Sequence, residues 1–534
     1  MLVLLPVFLL VVTLIVLFAL SRFKQATGLV WLISVTAAIL TWVIILVQRF
    51  VQPAPFFLTE WYLGEGATTG LIFQLDQSSW SYAFGLVTLI LAILLTETSR
   101  FEFQTNFEGW VGSLAVTVGG LLAVLAETPL ALILAWTIID IFEMIIMLRT
   151  VERQEQKQQA VIAFSARLAG ILMVIWAVLE SRGRGQGLTL TSYPPEAGIF
   201  LLIAAGLRLG VVPLHLPYTE EPRLRRGLGT AIRLAAPVSS LVLLSRLPPT
   251  VAPPAWSPYF LIFTSLAAVY GSVRWLTGKD ELSARPYWII ALAGVAIGSA
   301  VRGRPMAALA WGTALLFAGG AVFLFSARNR LLRAIFILCW IGLSGLPFTP
   351  AASGWQGLVV LPFNLLDIVN ILVYSMLLLG FLRYVLTPGS TLEEMEGWAK
   401  VVYSLGLVIF IVSYWLVGVF GWEGSFTLGN WWGSTISVVL CLGGGIGIWL
   451  LNRRSRWPME INEGWFILFV RKVSAIIGQV LNLNWLYQFA AFIFRIMQRL
   501  VNFVALILEG EGGILWALVL LVLIISFLLP GVAP

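Results

Sequence analysis

The chain has 534 residues, of which 59% are hydrophobic and only 11% are charged. Soluble proteins carry about 25% charged residues, and a water-soluble fold of this length cannot bury so much apolar surface. The composition therefore excludes a soluble protein and predicts an all-α polytopic membrane protein.

The apolar residues are grouped into runs long enough to cross a bilayer, which takes about 20 residues in a helix. The first run lacks a basic flank and a small-residue cleavage site, so we interpret it as a membrane helix and not as a signal peptide. We predict about sixteen transmembrane helices, at 2–20, 27–48, 79–96, 109–126, 128–148, 160–180, 196–216, 229–247, 256–277, 286–301, 305–326, 331–349, 358–386, 400–420, 431–451 and 513–530.

The basic residues follow the positive-inside rule if the N-terminus lies outside. Alternate loops then carry most of the arginines and lysines, as at Arg149, Arg153, Arg225 and Arg226, and these loops face the cytoplasm. The net charge of +7 is thus explained by loop charge and does not indicate a nucleic-acid partner. The even helix count predicts that both termini lie on the outer side. We expect an integral protein of the cell (inner) membrane.

One long segment breaks the alternation of spans and loops. Polar residues interrupt 462–512, and from Trp485 to Leu508 they recur at roughly helical spacing. Such a segment is typical of an amphipathic helix that lies along a membrane or a protein flank. We predict a lateral helix there, and the alternative is one more pair of true spans.

Two apolar segments contain paired prolines that should break a helix. The first reads GLRLGVVPLHLPYTEEP and contains Pro213 and Pro217, and the second reads GLPFTPAASG and contains Pro347 and Pro350. Each pair falls in the fourth helix of a group of five, so the two groups should be inverted relative to each other. Paired broken helices in inverted halves indicate an ion or substrate site. The alternative is that they are ordinary helix ends.

These patterns predict six segments. They are 1–100 with N-terminal transmembrane helices, 101–250 with the first five-helix repeat, 251–390 with the second inverted repeat, 391–455 with C-terminal transmembrane helices, 456–512 with the lateral amphipathic segment and 513–534 with the last transmembrane helix.

Several charged residues lie inside predicted membrane helices, where a charge costs about 2.5–3.5 kcal/mol on insertion scales. One hypothesis is a hydrated axis along which protons or cations move. The alternative is structural ion pairing, with Asp140 or Glu143 against Arg208, while Arg167 and Arg233 face headgroups or water. Arginine keeps its proton in proteins, so an arginine can set a field but cannot release a proton. The candidate path residues are Asp140, Glu143, Arg208, His215, Arg233 and Asp367.

A polar stripe and two cysteines complete the set of polar features. Asn364, Asp367, Asn370 and Tyr374 recur at helical spacing. Cys339 and Cys441 are predicted to be packed free thiols. A single histidine and the lack of a cysteine cluster argue against a transition metal, haem or iron–sulfur centre, so no cofactor is predicted.

The run PLHLP after GLRLG resembles the broken seventh helix of the antiporter-like membrane subunits found in respiratory complex I, multisubunit cation/proton antiporters and membrane-bound hydrogenases. AETPLALILAWT resembles the fifth helix of that family, and AIRLAAPV the eighth. KDELSARPYWIIALAG, TALLFAGG and GLPFTPAASGW resemble later motifs, so that the likeness covers roughly residues 80–390. The resemblance implies two inverted five-helix repeats and a role in coupling redox chemistry or ion gradients to proton movement.

This sequence departs from the family pattern at the positions that carry protons there. Thr137 replaces the acid, Arg208 and Arg233 replace a lysine and a histidine or lysine, Thr313 replaces the central lysine, and Trp355 replaces a lysine or acid. Asp140 or Glu143 could substitute for the missing acid. We interpret the chain as a divergent member with a degenerate proton path.

Three functions follow from this interpretation. The leading one is a membrane-arm subunit of a redox-driven complex, of the NADH:quinone oxidoreductase or hydrogenase type, or of a cation/proton antiporter. Its expected partners are other membrane subunits, the lipid bilayer and quinone- or redox-subunits elsewhere in the complex. The alternatives are the membrane module of an inorganic-carbon or ion uptake system with a soluble partner, and a structural scaffold without conduction.

Overall fold

The computed structural model describes residues 2–21, 27–62, 68–100, 107–150, 154–183, 189–216, 226–327, 329–359, 364–387, 396–452 and 513–528, together with single residues between 472 and 502. The chain divides into two compact units, Met1–Gln479 and Val480–Pro534. The second unit contributes one described helix.

Each of the predicted apolar runs corresponds to a helix in the described part of the chain. The helices are α1 Leu5–Ser21, α2 Thr27–Val51, α3 Gln77–Thr96, α4 Phe107–Leu125, α5 Pro129–Thr150, α6 Gln154–Gly183, α7 Pro195–Leu209, α8 Arg226–Arg246, α9 Ser257–Thr277, α10 Arg285–Val301, α11 Pro305–Leu324, α12 Arg330–Ser344, the one-turn α13 Trp355–Leu358, α14 Leu365–Leu386, α15 Gly397–Phe420, α16 Trp431–Asn452 and α17 Gly513–Leu528. Eleven of them are long and apolar enough to cross a membrane. The protein is an all-α polytopic membrane protein, and the number of spans and the inverted repeats stay predictions.

Burial separates central helices from peripheral ones. The spans of α3, α8 and α11 are buried throughout, whereas less than half of the α1 and α2 spans is buried. A helix that is apolar all round and buried belongs to the inside of a bundle. The side chains of α3, α8 and α11 therefore form the core, with α3 packed on α2, α4, α8, α11 and α15.

Both proline-containing segments follow helices that end in the same way. α7 ends at Gly210 and α12 ends at Gly345, and both glycines adopt the left-handed conformation, with φ of 73° and 70°. Glycine tolerates this conformation because it has no Cβ, and it is the usual residue just after a helix. The helices predicted at 196–216 and 331–349 therefore end several residues before the apolar runs do.

The second proline-containing segment includes two short helical turns. The chain after α12 forms a turn with Pro347 and Pro350, a 3-10 turn at Ala352–Gly354 and then α13. The predicted start of the next helix at 358 is therefore too early, because α14 begins at Leu365. Pro213 lies in the described turn after α7, whereas Pro217 lies outside the described residues.

A small β-hairpin precedes α3 and was not predicted. Strands β1 Phe56–Tyr62 and β2 Thr68–Phe73 pair in antiparallel fashion. The backbone amide of Glu127 donates to the Ile72 carbonyl at 2.9 Å, and the Gln74 amide donates to the Leu125 carbonyl at 2.8 Å. The hairpin therefore packs on the turn between α4 and α5.

The predicted lateral segment at 456–512 lies outside the described residues, apart from single positions, and remains a prediction. The orientation of the termini is likewise a prediction.

Candidate functional site

Five charged side chains from four helices meet inside the first half of the bundle. We call Asp140, Glu143, Arg167, Arg208 and Arg233 the ion-pair cluster. Asp140 and Glu143 lie three residues apart on α5, and neighbouring helices α6, α7 and α8 supply one arginine each. Each of the five is at most 3% exposed.

Asp140 and Arg208 form the best-defined pair. The Arg208 Nη1 and Nη2 atoms lie 2.6 and 3.0 Å from the two Asp140 carboxylate oxygens. Such two-pronged guanidinium–carboxylate pairs are among the strong hydrogen-bonded interactions in proteins. The pair confirms one of the two arrangements that the pairing hypothesis allowed.

The surroundings of Arg208 hold its guanidinium in place. Its Nε donates to the Ser240 hydroxyl at 3.1 Å, and its Cζ lies 4.1 Å from the centre of the Trp136 ring. The Trp136 indole is itself fixed, because its Nε1 donates to the Ser239 carbonyl at 2.9 Å. Gly170 on α6 leaves room for the Arg208 side chain, which any Cβ there would contact.

Glu143 pairs with the other two arginines. It forms a short hydrogen bond with Arg167 and lies 3.5 Å from Arg233 Nη1. Arg167 also lies 3.7 Å from Asp140 and so joins the two pairs. The expectation that Arg167 and Arg233 face headgroups or water is wrong, because two carboxylates one turn apart attract all three arginines into the bundle.

His215 and the first pair of prolines lie beyond the end of α7. The His215 side chain is buried, and its Nδ1 lies 2.8 Å from the Pro213 carbonyl. Its backbone amide donates to the Gly210 carbonyl at 3.0 Å. These two contacts therefore stabilise the turn after α7. The role of His215 in a proton path stays a prediction.

Asp367 lies apart from the ion-pair cluster in sequence and in its contacts. It occupies the first turn of α14 and forms a capping box with Asn364. The Asn364 side chain accepts from the Asp367 backbone amide, and the Asn364 backbone amide donates to Asp367 Oδ2 at 3.0 Å. Arg302 Nη2 lies 3.1 Å from Asp367 Oδ1. The helix start and the Arg302 ion pair account for this buried carboxylate.

Three buried aromatic rings lie close to the end of α12. Trp311, Trp355 and Tyr374, which we call the aromatic cluster, are fully buried, with ring centres 4.8 to 6.0 Å apart. Tyr374 donates a short hydrogen bond to the Leu343 carbonyl near the end of α12. The hydroxyl of Thr313 donates to the Ala310 carbonyl of its own helix at 2.9 Å.

A third group of charged residues lies beside the β-hairpin, at the ends of the helices. Arg246, at the end of α8, lies 3.2 Å from Asp76 and 3.9 Å from Glu127. Burial acts to raise the pKa of Asp76, but Arg246 and hydrogen bonds from Ser79 and Ser78 outweigh it and lower that pKa. Burial raises the pKa of Glu127, against the effect of Arg246.

Sequence reasoning missed several partners in these groups. Ser240, Trp311, Arg246 and Arg302 were not singled out, although an arginine beside an apolar run is a signal for a buried acid elsewhere. Both cysteines are buried free thiols, as predicted. In the described ranges no group of three or more His, Cys, Asp or Glu side chains is arranged to hold a metal ion.

Comparison with known proteins gives a fold. No family model and no curated protein matches the chain. Among solved structures, the membrane-bound sulfane sulfur reductase, an archaeal respiratory membrane complex, contains a similar chain with a TM-score of 0.63 and 16% identity, over 98% of this chain and 99% of that one. The chain has the fold of the antiporter-like membrane subunits.

Two further structures share this antiporter-like fold. A chain of the Mrp complex from Dietzia sp. DQ12-45-1b gives a TM-score of 0.65 and 16% identity over 88% of this chain, which spans 59% of the Mrp chain. A chain of respiratory complex I from Thermus thermophilus with bound Aureothin gives a TM-score of 0.58 and 17% identity, over 78% of this chain and 98% of that one.

Within this antiporter-like fold, the substituted positions fall into two different environments. Arg208 and Arg233, where the resemblance leads us to expect basic residues that titrate, belong to the ion-pair cluster. Trp355, where it leads us to expect a lysine or acid, belongs to the aromatic cluster. The substitutions are thus grouped in space according to the half of the chain in which they occur.

Proposed function

We propose that this chain is a membrane subunit of a multisubunit respiratory or cation/proton antiporter complex. The observation that carries the proposal is the fold similarity over nearly the full length of both chains to a subunit of a respiratory membrane complex. The described residues offer no metal-binding group, so the redox chemistry would belong to partner subunits. The bilayer would be the cell (inner) membrane, with both termini on the outer side.

Purification of the tagged native protein in mild detergent, with mass spectrometry of the proteins that accompany it, tests this proposal. We expect sister antiporter-like subunits, with iron–sulfur or flavin subunits if the complex is redox-driven. A single soluble partner would favour the uptake module instead. A chain that purifies alone in several mild detergents would contradict both.

We further propose that the proton path of this subunit is degenerate. The two carboxylates of the ion-pair cluster face three guanidinium groups, which stay charged and cannot relay a proton. The second half carries tryptophan and tyrosine side chains where a relay would need titratable groups of suitable pKa. The ion-pair cluster would then set a fixed positive field and join α5 to α6, α7 and α8, which favours a structural or electrostatic role over conduction.

A paired substitution separates a structural from a conducting role. In Asp140→Leu/Arg208→Met the two opposite charges are removed together, so the remaining charges keep their balance. We expect the complex to assemble and to retain coupled ion movement, measured in vesicles with a pH-sensitive dye. An assembled complex with normal electron transfer but no ion movement would mean that the pair lies on a working path.

A further inference from the structure

A groove lies between the ends of α2 and α15, away from the ion-pair cluster. It has a volume of about 560 Å³ and is lined by ten residues of the segments 49–52 and 419–426, among them Arg49, Phe50, Phe420 and Glu423. Ligand sites in proteins commonly measure about 300–1,000 Å³. We call this site the α2–α15 groove, and its size suits a polar headgroup with its glycerol.

Two helices that run in the same direction form the walls of this groove. Trp31 and Trp398 near the starts of α2 and α15 lie 6.4 Å apart, and Phe50 and Phe420 near their ends lie 6.1 Å apart. Both helices pack against the buried α3. The groove therefore lies at the C-terminal ends of two helices that are both packed against α3.

Opposite charges line the α2–α15 groove. The half-buried Arg49 is oriented by two contacts, since its Nε donates to the Phe420 carbonyl at 2.7 Å and its Cζ lies 5.5 Å from the Trp80 ring centre. Glu423 is exposed, and its amide lies 3.4 Å from Gln77 Oε1. In the ranges with described side chains, no ion pair within 4 Å joins Arg49 to Glu423.

The ends of α2 and α15 add to this charge pattern. Helix C-termini carry partial negative charge and favour cations. The carboxylate of Glu423 lies just beyond the C-terminus of α15, whereas the guanidinium of Arg49 supplies the positive side. The groove thus offers a negative region next to a fixed cation, which matches a ligand with both charges.

Exposed apolar side chains of α2 and α15 extend the surface away from the α2–α15 groove. Val43, Val47 and Phe50 of α2 are 43%, 51% and 68% exposed, and they recur at helical spacing. Val412 and Val419 of α15 are 46% and 49% exposed. In a membrane protein such faces contact acyl chains, so a ligand with a polar head in the groove would find an apolar surface for its tails.

We propose that the α2–α15 groove binds one zwitterionic phospholipid, with its phosphate on Arg49 and its ammonium group on Glu423. A phospholipid with an anionic headgroup and no amine would satisfy only the arginine. Phosphatidylethanolamine fits both charged side chains, and its ammonium group can donate hydrogen bonds to the carboxylate. The inference concerns a surface that the proposed function does not use and stands apart from it.

Lipid retention tests this inference on the full-length protein. The chain is incorporated into nanodiscs that contain equal amounts of phosphatidylethanolamine and phosphatidylglycerol, then released, and bound lipid is counted by native mass spectrometry. Exposed charge pairs contribute little to binding, so we expect a preference for phosphatidylethanolamine of up to about fivefold.

Two substitutions distinguish the two contacts. Glu423→Gln should abolish the preference for phosphatidylethanolamine while phosphatidylglycerol is still retained, and Arg49→Gln should lower retention of both lipids. Arg304→Gln, at an exposed arginine between α10 and α11, is the matched control and should change neither. If Arg49→Gln does not assemble, Glu423→Gln decides the test alone, because its side chain is exposed.

Two results would overturn the inference. The first is equal retention of the two lipids by the unaltered protein, or a preference that survives Glu423→Gln. The second comes from a photo-reactive amino acid at the exposed Phe426 in the intact complex. Its capture of another polypeptide, in place of a phospholipid, would mean that a neighbouring subunit occupies the groove.

Discussion

The helices α7 and α12, which precede the two proline-containing segments, end with the same geometry but in different surroundings. Arg208 lies two residues before the left-handed Gly210, and Leu343 lies two residues before the left-handed Gly345. The first position carries a guanidinium paired with Asp140, whereas the carbonyl of the second accepts a hydrogen bond from Tyr374. A charged pair thus holds the end of α7, whereas an aromatic side chain holds the end of α12.

This comparison predicts which half of the bundle should tolerate substitutions with less loss of stability. A buried charge depends on its partner, since removing one member leaves the other unpaired in a low-dielectric interior. An aromatic cluster depends on packing and on a few hydrogen bonds between neutral groups, each worth less. Single polar substitutions should therefore destabilise the first half more than the second.

The largest effect is expected for Asp140→Ala. It leaves Arg208 buried without its carboxylate, which typically costs about 3–5 kcal/mol. Thermal unfolding of the purified protein in detergent measures this loss. The double variant Asp140→Ala/Arg208→Met should recover most of it, because neither charge remains. A single variant as stable as the unaltered protein would show that the pair does not distinguish the two halves.

A smaller effect is expected for Ser240→Ala. The hydroxyl of Ser240 accepts from Arg208 Nε, and hydrogen bonds to charged groups contribute about 1.5–3 kcal/mol. The neighbouring Ser239→Ala is a matched control, since the Ser239 hydroxyl donates only to a carbonyl of its own helix, that of Ala236. The same unfolding measurement should rank Ser240→Ala well above the control, and equal losses would contradict this account of Arg208.

In the second half, Tyr374→Phe should cost less. The substitution keeps the ring in the aromatic cluster and removes one hydrogen bond between neutral groups, worth about 0.5–1.5 kcal/mol. Thermal unfolding under identical conditions gives the comparison with Ser240→Ala. A loss larger than that of Ser240→Ala would reverse the proposed ranking of the two halves.

The smallest effect concerns ion pairs at the aqueous end of the bundle, where pH can reach them. The pKa of Asp76 is lower in the folded protein, so Asp76 contributes stability above its unfolded pKa, and that stability is lost as the pH falls through the folded pKa. Asp76→Asn should remove this acid-induced loss, which we expect to be below about 1 kcal/mol for a partly exposed pair. Unfolding midpoints measured from neutral to acidic pH test it, and an unchanged acid response would contradict the role of Asp76.

The helical class of the chain and the places of most described helices could be predicted from the sequence, because apolar runs of membrane length have few other outcomes. Pro213, Pro347 and Pro350 also mark the regions where α7 and α12 end, whereas Pro217 lies outside the described residues. The exact ends could not be predicted from hydropathy, because Gly210 and Gly345 end their helices several residues before the apolar runs do. The hairpin at 56–73 was missed because its strands are short and depend on contacts with the α4–α5 turn.

Only part of the candidate site could be predicted from the sequence. Spacing placed Asp140 and Glu143 on one face of α5, and the cost of a charge inside a membrane helix marked Arg208 as a residue that needs a partner. Sequence spacing cannot tell which of three arginines pairs with which carboxylate, because the answer depends on how four helices pack. Trp311 and Trp355 likewise look like ordinary apolar residues until α11, α13 and α14 bring their rings together with Tyr374.

The sequence by itself determined that this protein lies in the membrane, that it is helical and that two of its helices end next to paired prolines. These properties follow from hydropathy and from the backbone limits of proline, which act locally along the chain. Only the tertiary structure decided that Arg167 and Arg233 turn inward, that Asp367 caps a helix beside Arg302, and that aromatic rings fill the second half. Those outcomes depend on long-range packing, in which a buried charge takes whichever partner the neighbouring helices bring within reach.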